Sequence, residues 1–256
     1  MKETRFFYVP GAAEAGELPA DEAQHATRVL RLQSGDEMFL MDGEGNFFRA
    51  EVTLASAKRC LYNIKEVLPQ SPAWRGHLHL AIAPTKMMER MEWMVEKATE
   101  VGCDAFSFVL CRFSERKAMR SDRVEKIVVS AMKQSRKAWK PRVDELCPFR
   151  QFVAEERAGR KFIAHCYEEI PRKDLFDELT SGDKKDSCGD DITVLVGPEG
   201  DFSIEEVRMA IDAGYESISL GTSRLRTETA GLAAVMMMHL ARRIKNKEIE
   251  KNCRIG

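Results

Sequence analysis

From residue 77 onward the chain alternates two hydrophobic patterns. Short apolar runs (LHLAIAP, DAFSFVLC, KFIAHCY, DITVLV and YESISL) have the length and the β-branched and aromatic content of buried strands. Between them, apolar residues recur every three or four positions. Met87, Met91, Met94, Val95 and Ala98 form one such stripe, closed by Gly102. SDRVEKIVVSAMKQSRKAW, IEEVRMAIDAG and ETAGLAAVMMMHLARRI carry helical patterns, and shorter helices are predicted from Phe149 to Ala158 and from Lys173 to Leu179. The methionine stripe fits core packing or a subunit contact better than a cofactor site. SGDKKDSCGDD reads as a polar loop, and the lysine-rich stretch after Arg243 as a fraying tail. Strands alternating with helices imply an α/β fold with a mostly parallel sheet covered by helices.

Residues 1–72 follow a different rhythm. RFFYV is β-prone, PADEAQHATRVLRL carries one helical turn pattern, and DEMFLMDGEGNFFRAEVTLA reads as two strands around a turn at Asp42 to Asn46. The pair Gly43 and Gly45 suggests a phosphate loop only superficially, because a strand follows it rather than a helix. LYNIKEV is a further strand, and LPQSPAWRG, with two prolines and no periodicity, is the linker candidate. Two domains are expected, 1–72 small and β-rich and 73–256 α/β.

Composition changes this picture little. The 256 residues are 44% apolar and 32% charged, with a net charge of −1, so any basic surface must be local. Seven cysteines without a C-x-x-C pair, and five histidines without H-E-x-x-H, argue against a structural metal or a disulfide framework. The longest apolar run, Leu232 to Met238, falls far short of a membrane span. The expectation is a soluble, reduced, cytoplasmic protein with no metal and no membrane partner.

The candidate chemistry lies in two glycine turns. In LVGPEGDFSIEEV a strand stops at Gly197, turns through Pro198, Glu199 and Gly200, and restarts as a helix. Ser203 and Glu206 form an S-x-x-E capping box, and Phe202 and Val207 a hydrophobic staple, so the backbone amides there are held in fixed directions. Gly197 and Gly200 let a ligand approach the main chain. In SLGTSRLRTETAGLAAV a strand stops at Gly221, a basic loop follows, and Thr227 can cap a long helix. Both turns fall at carboxyl ends of parallel strands, where α/β folds bind ligands. No P-loop, no G-x-G-x-x-G after a strand and no G-x-S-x-G elbow is present. From the glycines alone, a shared ligand pocket and two ordinary strand-to-helix connections remain equally open.

GPEG followed by FSIEE, and LGTSRLRTETA after it, resemble the SPOUT superfamily of knotted RNA methyltransferases, and within it the RsmE family. The similarity extends to HATRVLRLQSGDEMFLMDGEG, which resembles that family's PUA-like domain, and to KMMERMEWMVEKATEVGCDAF and AMKQSRKAWKPRV. One departure is Asp201, where the family often has a second glycine. The resemblance implies a deep trefoil knot, a homodimer, S-adenosylmethionine as cofactor, and methylation of N3 of a specific uridine in 16S ribosomal RNA within the small subunit. Rival readings are ribose 2′-O or transfer-RNA guanine N1 methylation on the same fold, and a non-catalytic ribosome assembly factor. Intact glycine turns count against the last.

Uracil N3 is a poor nucleophile until it loses its proton, so a cation near the uracil carbonyls is required more than a metal. Arg226 is the first candidate and Arg5 the second. Glu199 and Glu228 are candidates to orient a cation or accept a proton, although Glu228 also suits a first helical turn. Which group takes the proton stays open. Leu195, Gly197, Pro198, Glu199, Gly200, Leu220, Gly221, Leu225 and Arg226 are the expected cofactor contacts. Residues 112–142 hold eleven Lys or Arg against three acids, a local +8 in a chain of net −1. Arg112, Arg116, Lys117, Arg136 and Lys137 are expected to meet RNA phosphates, Phe113 and Trp139 to stack on bases, and Arg28 and Arg31 to add a second contact. A merely solvated helix face is the alternative for this segment.

Overall fold

The computed structural model describes residues 5–181 and 191–253. The polar loop expected at 181–191 lies almost wholly outside the described residues. The chain divides into two compact units, Met1–Ala73 with Val129–Lys140, and Trp74–Val128 with Pro141–Gly256.

The first unit is a four-stranded sheet in the order β1 (Phe6–Tyr8), β2 (Glu37–Met41), β3 (Asn46–Ala55), β4 (Cys60–Pro69). β1 pairs parallel to β2, and the other pairs are antiparallel. Alternate side chains of β2 and β3 (Met38, Leu40, Phe48, Ala50, Val52) meet Phe7 and Tyr62 in one core. That core also takes Ala12 from the short helix α1 (Ala12–Ala15), Ala23 from α2 (Ala20–Gln24), and Ala26 from the π-helical turn His25–Val29. The helical pattern around residues 20–30 is therefore two short pieces. β4 runs through to Pro69, so the linker candidate begins later than the prolines alone suggest.

The second unit is a seven-stranded sheet in which every described pair is parallel. Its strands are β5 (Leu78–Ile82), β6 (Ala105–Leu110), β7 (Arg142–Pro148), β8 (Arg160–Ala164), β9 (Lys173–Asp174), β10 (Ile192–Val196) and β11 (Glu216–Ser219), arranged β7-β6-β5-β10-β8-β11-β9. β10 lies between β5 and β8, and β11 between β8 and β9, so the last two strands occupy places between earlier ones. β5 and β10 are buried along their whole length, as a sheet covered on both faces requires. On one face Leu78, Leu80, Ile82, Val194 and Val196 pack with Met91, Met94 and Ala98 of α3 (Met88–Val101) and Ala234, Val235 and Met238 of α8 (Thr227–Cys253). Met91, Met94, Val95 and Ala98 of the methionine stripe are thus core, whereas Met87, before the helix begins, is exposed. On the other face Ala81, Val109 and Leu195 meet Phe149 and Phe152 of α5 (Phe149–Ala154) and Val207 and Ala210 of α7 (Ile204–Asp212).

α4 (Ser121–Ser135) buries Val124, Val128, Ala131 and Met132, as its pattern requires, and α6 (Leu175–Thr180) buries Leu175 and Leu179. Several expectations need correction. The helix expected to reach Trp139 stops at Ser135, where Arg136 takes a φ of 53°. The helix expected from Lys173 begins at Leu175, because Lys173 and Asp174 pair with β11. α8 continues past Arg243 to Cys253 instead of fraying. Among the described residues no helix is long and apolar enough to cross a membrane.

Candidate functional site

The second unit carries a cavity of about 960 Å³. Its floor is Ala164, Val196, Ile218 and Ser219, the final residues of β8, β10 and β11, so it opens at the carboxyl edge of the parallel sheet. The turn after β10 supplies Gly197, Pro198, Glu199 and Asp201. The turn after β11 supplies Leu220 to Arg226, and α8 adds Thr227, Glu228 and Ala230. The two glycine turns therefore share one cavity, which sequence alone left open.

The local sequence builds the first turn tightly. Ser203 Oγ accepts the Glu206 amide at 3.3 Å, and Glu206 Oε2 accepts the Ser203 amide at 2.8 Å, completing the capping box. The other Glu206 oxygen accepts the Arg112 amide at 2.8 Å. Phe202 and Val207 are both fully buried in one cluster, as the staple requires.

The glycines do different work from one another. A Cβ at Gly197 would lie 3.1 Å from the Phe202 ring, and one at Gly200 would lie 3.2 Å from Phe113 Cβ. These two glycines make room for aromatic side chains, and Gly200 does not line the cavity. Gly221 has a φ of 105° and nothing within 4 Å of a Cβ position, so it is the glycine that keeps the cavity open. Leu195 is fully buried in the core beneath α7 and lines no part of the cavity.

Glu199 Oε1 accepts the Lys86 amide at 2.9 Å, pinning the segment after β5 to the turn after β10. Arg116 donates to the carbonyls of Thr85 and Lys86 at 3.0 and 2.8 Å, so it braces the same segment. Glu228 is buried and faces Arg90 at 3.4 Å, and both line the cavity. Arg226 is exposed at the cavity, and its guanidinium has no hydrogen bond or ion pair among the described residues. Arg5 lies in the first unit, where it donates to the Leu30 carbonyl at 3.2 Å.

The structure adds a wall that the pattern of glycines did not reveal, namely His165, Cys166, Glu168 and Arg172 after β8. The signal was available. KFIAHCY reads as a parallel strand, and its carboxyl end belongs to the same edge as the two turns. Neither ring nitrogen of His165 has a partner among the described residues. Burial pushes its imidazole below the ordinary value, the Asp201 carboxylate opposes, and Arg172 acts with burial. It is therefore a neutral ring near pH 7. Among the described residues no three His, Cys, Asp or Glu converge as metal ligands.

The basic segment divides between the units. Arg112, Phe113, Arg116 and Lys117 belong to the second, with Arg112 at 3.3 Å from Glu205 and Phe113 and Lys117 exposed. Arg136, Lys137 and Trp139 belong to the first. Arg136 lies over the Phe6 ring at 5.7 Å, and the Trp139 indole donates to the Gln70 carbonyl at 3.2 Å while packing on Gly45. Trp139 still exposes 44% of its surface. Arg28 and Arg31 are exposed on and beside the π-helical turn, Arg31 with a φ of 53°.

Residues 72–239 match the family model described as an RNA methyltransferase domain, and residues 18–64 match an RNA methyltransferase PUA domain. The chain is similar to the ribosomal RNA small subunit methyltransferase E of Synechocystis sp., at 30% identity over 87% of this chain and 72% of that protein. It is also similar to the crystal structure of a probable rRNA-methyltransferase from Porphyromonas gingivalis. That likeness has a TM-score of 0.85 and 40% identity, and covers 94% of this chain and 99% of the other. The ribosomal RNA small subunit methyltransferase E of Neisseria gonorrhoeae, solved bound to S-adenosyl methionine, has a TM-score of 0.77 and 27% identity. It covers 93% of this chain and 98% of its own.

Proposed function

We propose a reaction for this chain from the premise that it belongs to the RNA methyltransferase family, in the branch of ribosomal RNA small subunit methyltransferase E. The chain transfers a methyl group from S-adenosylmethionine to N3 of a uridine in 16S ribosomal RNA. The observation that carries this reading is the single cavity shared by the two glycine turns, with an unpaired guanidinium beside it.

The cavity fits the cofactor. Its volume suits a nucleoside-sized ligand, and Gly221 leaves main chain uncovered. Glu168, Glu199 and Glu228 place carboxylates around a site that must hold a cation. When bound, S-adenosylmethionine supplies an already activated sulfonium methyl group. Pro198, Gly197, Leu220, Gly221 and Leu225 would hold it, with Glu199 fixing the segment after β5 and Leu195 supporting β10 from behind.

Arg226 stabilises negative charge on the uracil oxygens as N3 loses its proton, acting as a positioned cation at the cavity. Arg5 is the second candidate for that role. Glu228 keeps Arg90 in place. RNA phosphates are bound by Arg112, Lys117, Arg136 and Lys137, with Arg28 and Arg31 adding a contact in the first unit; Arg116 acts by bracing the loop. The trefoil threading belongs to the same proposal, supported by the insertion of β10 and β11 between earlier strands. So does a homodimer, supported by Met236, Leu240 and Ile244, an exposed apolar row at one-turn spacing on α8. The reaction takes place on ribosomal particles in the cytoplasm.

The test is transfer of labelled methyl groups to purified unmodified small subunits and to bare 16S RNA, with the product nucleoside identified by mass spectrometry. 3-Methyluridine is expected. A 2′-O-methyl or 1-methylguanosine product would replace the reaction, and no detectable heat with S-adenosylmethionine in calorimetry would favour a binding factor.

A further inference from the structure

β8 and β10 run side by side in register to their last residues, Ala164 opposite Val196. Beyond that point the ladder ends, and the two chains become separate walls of the cavity. Asp201 bridges them. Its Oδ2 accepts the Cys166 amide at 2.8 Å, and its Oδ1 accepts the Phe202 amide at 2.7 Å. The Tyr167 hydroxyl adds a bond to the Phe202 carbonyl at 2.7 Å, and Arg172 holds the His165 carbonyl at 2.8 Å. The backbone of Asp201 has a φ of 66°, a conformation glycine adopts freely, and its amide closes a turn to the Pro198 carbonyl at 2.9 Å. The turn itself needs only a glycine here. The aspartate accepts a conformational cost, and what it adds is one carboxylate spent on two main-chain amides, one in each wall.

We infer that Asp201 is a positioning residue whose carboxylate clasps the exit of β8 to the turn after β10, and so holds the two cavity walls at the separation the methyl donor requires. The inference rests on the cofactor site proposed above. It concerns donor affinity and leaves the chemical step alone, because Asp201 acts through main chain on both sides.

Two substitutions isolate the carboxylate, since glycine and asparagine both tolerate a positive φ. Asp201→Gly removes both acceptors. Asp201→Asn keeps one carbonyl oxygen, enough for the Cys166 amide, and removes the charge. Calorimetry with S-adenosylmethionine should show affinity lowered roughly tenfold in D201G, the size expected for a lost charge-assisted hydrogen bond. KM for the donor should rise in parallel while kcat at saturating donor stays near wild type. Cys166, an exposed thiol on the clasped wall, provides a readout independent of activity, taken as the rate per thiolate from a pH series, because burial and then the Asp201 carboxylate hold its thiol above the ordinary value. Its alkylation by iodoacetamide, followed by peptide mass spectrometry in donor-free protein, should be faster in D201G than in wild type. D201N should recover part of the affinity and of the slow alkylation, since it keeps a neutral bond to the Cys166 amide but turns its NH2 toward the Phe202 N–H.

Unchanged affinity and unchanged Cys166 reactivity in D201G would overturn the clasp, whatever happens to thermal stability. A defect in D201N as large as in D201G would assign the effect to charge and also overturn it. Wild-type protein separates this from the function itself. If S-adenosylmethionine does not slow Cys166 alkylation in wild type, the cofactor site is misplaced. If it does and D201G behaves as wild type, only the clasp fails.

Discussion

Gly45 has a φ of 102°, and a Cβ there would lie 2.3 Å from the Trp139 ring. The pair Gly43 and Gly45 is thus required for reasons beyond the hairpin turn, since Lys140 and Trp139 pack directly on it. Gly45→Ala should cost roughly 2 kcal/mol or more, from backbone strain and displacement of the indole. Urea unfolding followed by tryptophan emission measures it, and an unshifted midpoint would mean the indole moves aside freely. Arg226 is the residue on which the chemistry turns. Arg226→Ala should lower kcat about 100-fold, in line with loss of one preorganised charge donor, while the dissociation constant for S-adenosylmethionine changes little. Parallel losses in both would make Arg226 a cofactor contact. Ser203 and Glu206 were legible in sequence because their partners lie within three residues. Glu199 was legible as a turn carboxylate, but its partner Lys86 is 113 residues away, and no local pattern encodes that pairing.

At the scale of elements, α7 is fixed by its first turn. Removing the Ser203 hydroxyl with Ser203→Ala should lower stability by about 1 kcal/mol. The turn after β10 sits directly on that cap, so cofactor affinity should fall with it. Denaturant midpoints and calorimetry on the same sample test the coupling, and lost stability with unaltered affinity would uncouple cap from turn. Elements with a strong period were readable: β5, β10, α3 and α8 present long apolar signals. The edge strands were not. β7 has no fully buried residue, and β9 is two residues long, because each pairs on one side only and needs no apolar alternation. α1 is a single turn between Gly11 and Gly16, too short to carry a period.

Across the second unit, a polar chain, buried at Ser107, His79 and Thr193 and half-buried at Asp144, crosses four adjacent strands near their amino ends. Asp144 on β7 accepts from Ser107 on β6 at 2.5 Å, Ser107 meets His79 Nε2 on β5 at 2.8 Å, and His79 Nδ1 faces Thr193 on β10 at 3.4 Å. The Ser107 proton is given to Asp144, so His79 donates from Nε2, which leaves Nδ1 facing the Thr193 hydroxyl. Burial first, then Arg157 and Arg142, push the His79 imidazole from 6.5 down to about 4. Between those values the unfolded chain binds the proton and the folded one does not. Stability from this group is therefore full above pH 6.5 and is lost as pH falls toward 4, by roughly 3 kcal/mol. Urea midpoints at pH 7, 5.5 and 4 should show that decline, and His79→Gln should flatten it; an equal slope in the variant would place the acid sensitivity elsewhere. Local pattern was enough for the alternation of strands and helices, the two glycine turns and the cap of α7, since each rests on interactions among near neighbours or on a repeating period. It took the folded chain to bring both turns to one cavity, to set Gly200 against Phe113 while Gly221 stays open, to make Arg116 brace a loop, and to let Asp201 reach Cys166. Those outcomes depend on strand order, which brings distant residues together through pairings that no local pattern specifies.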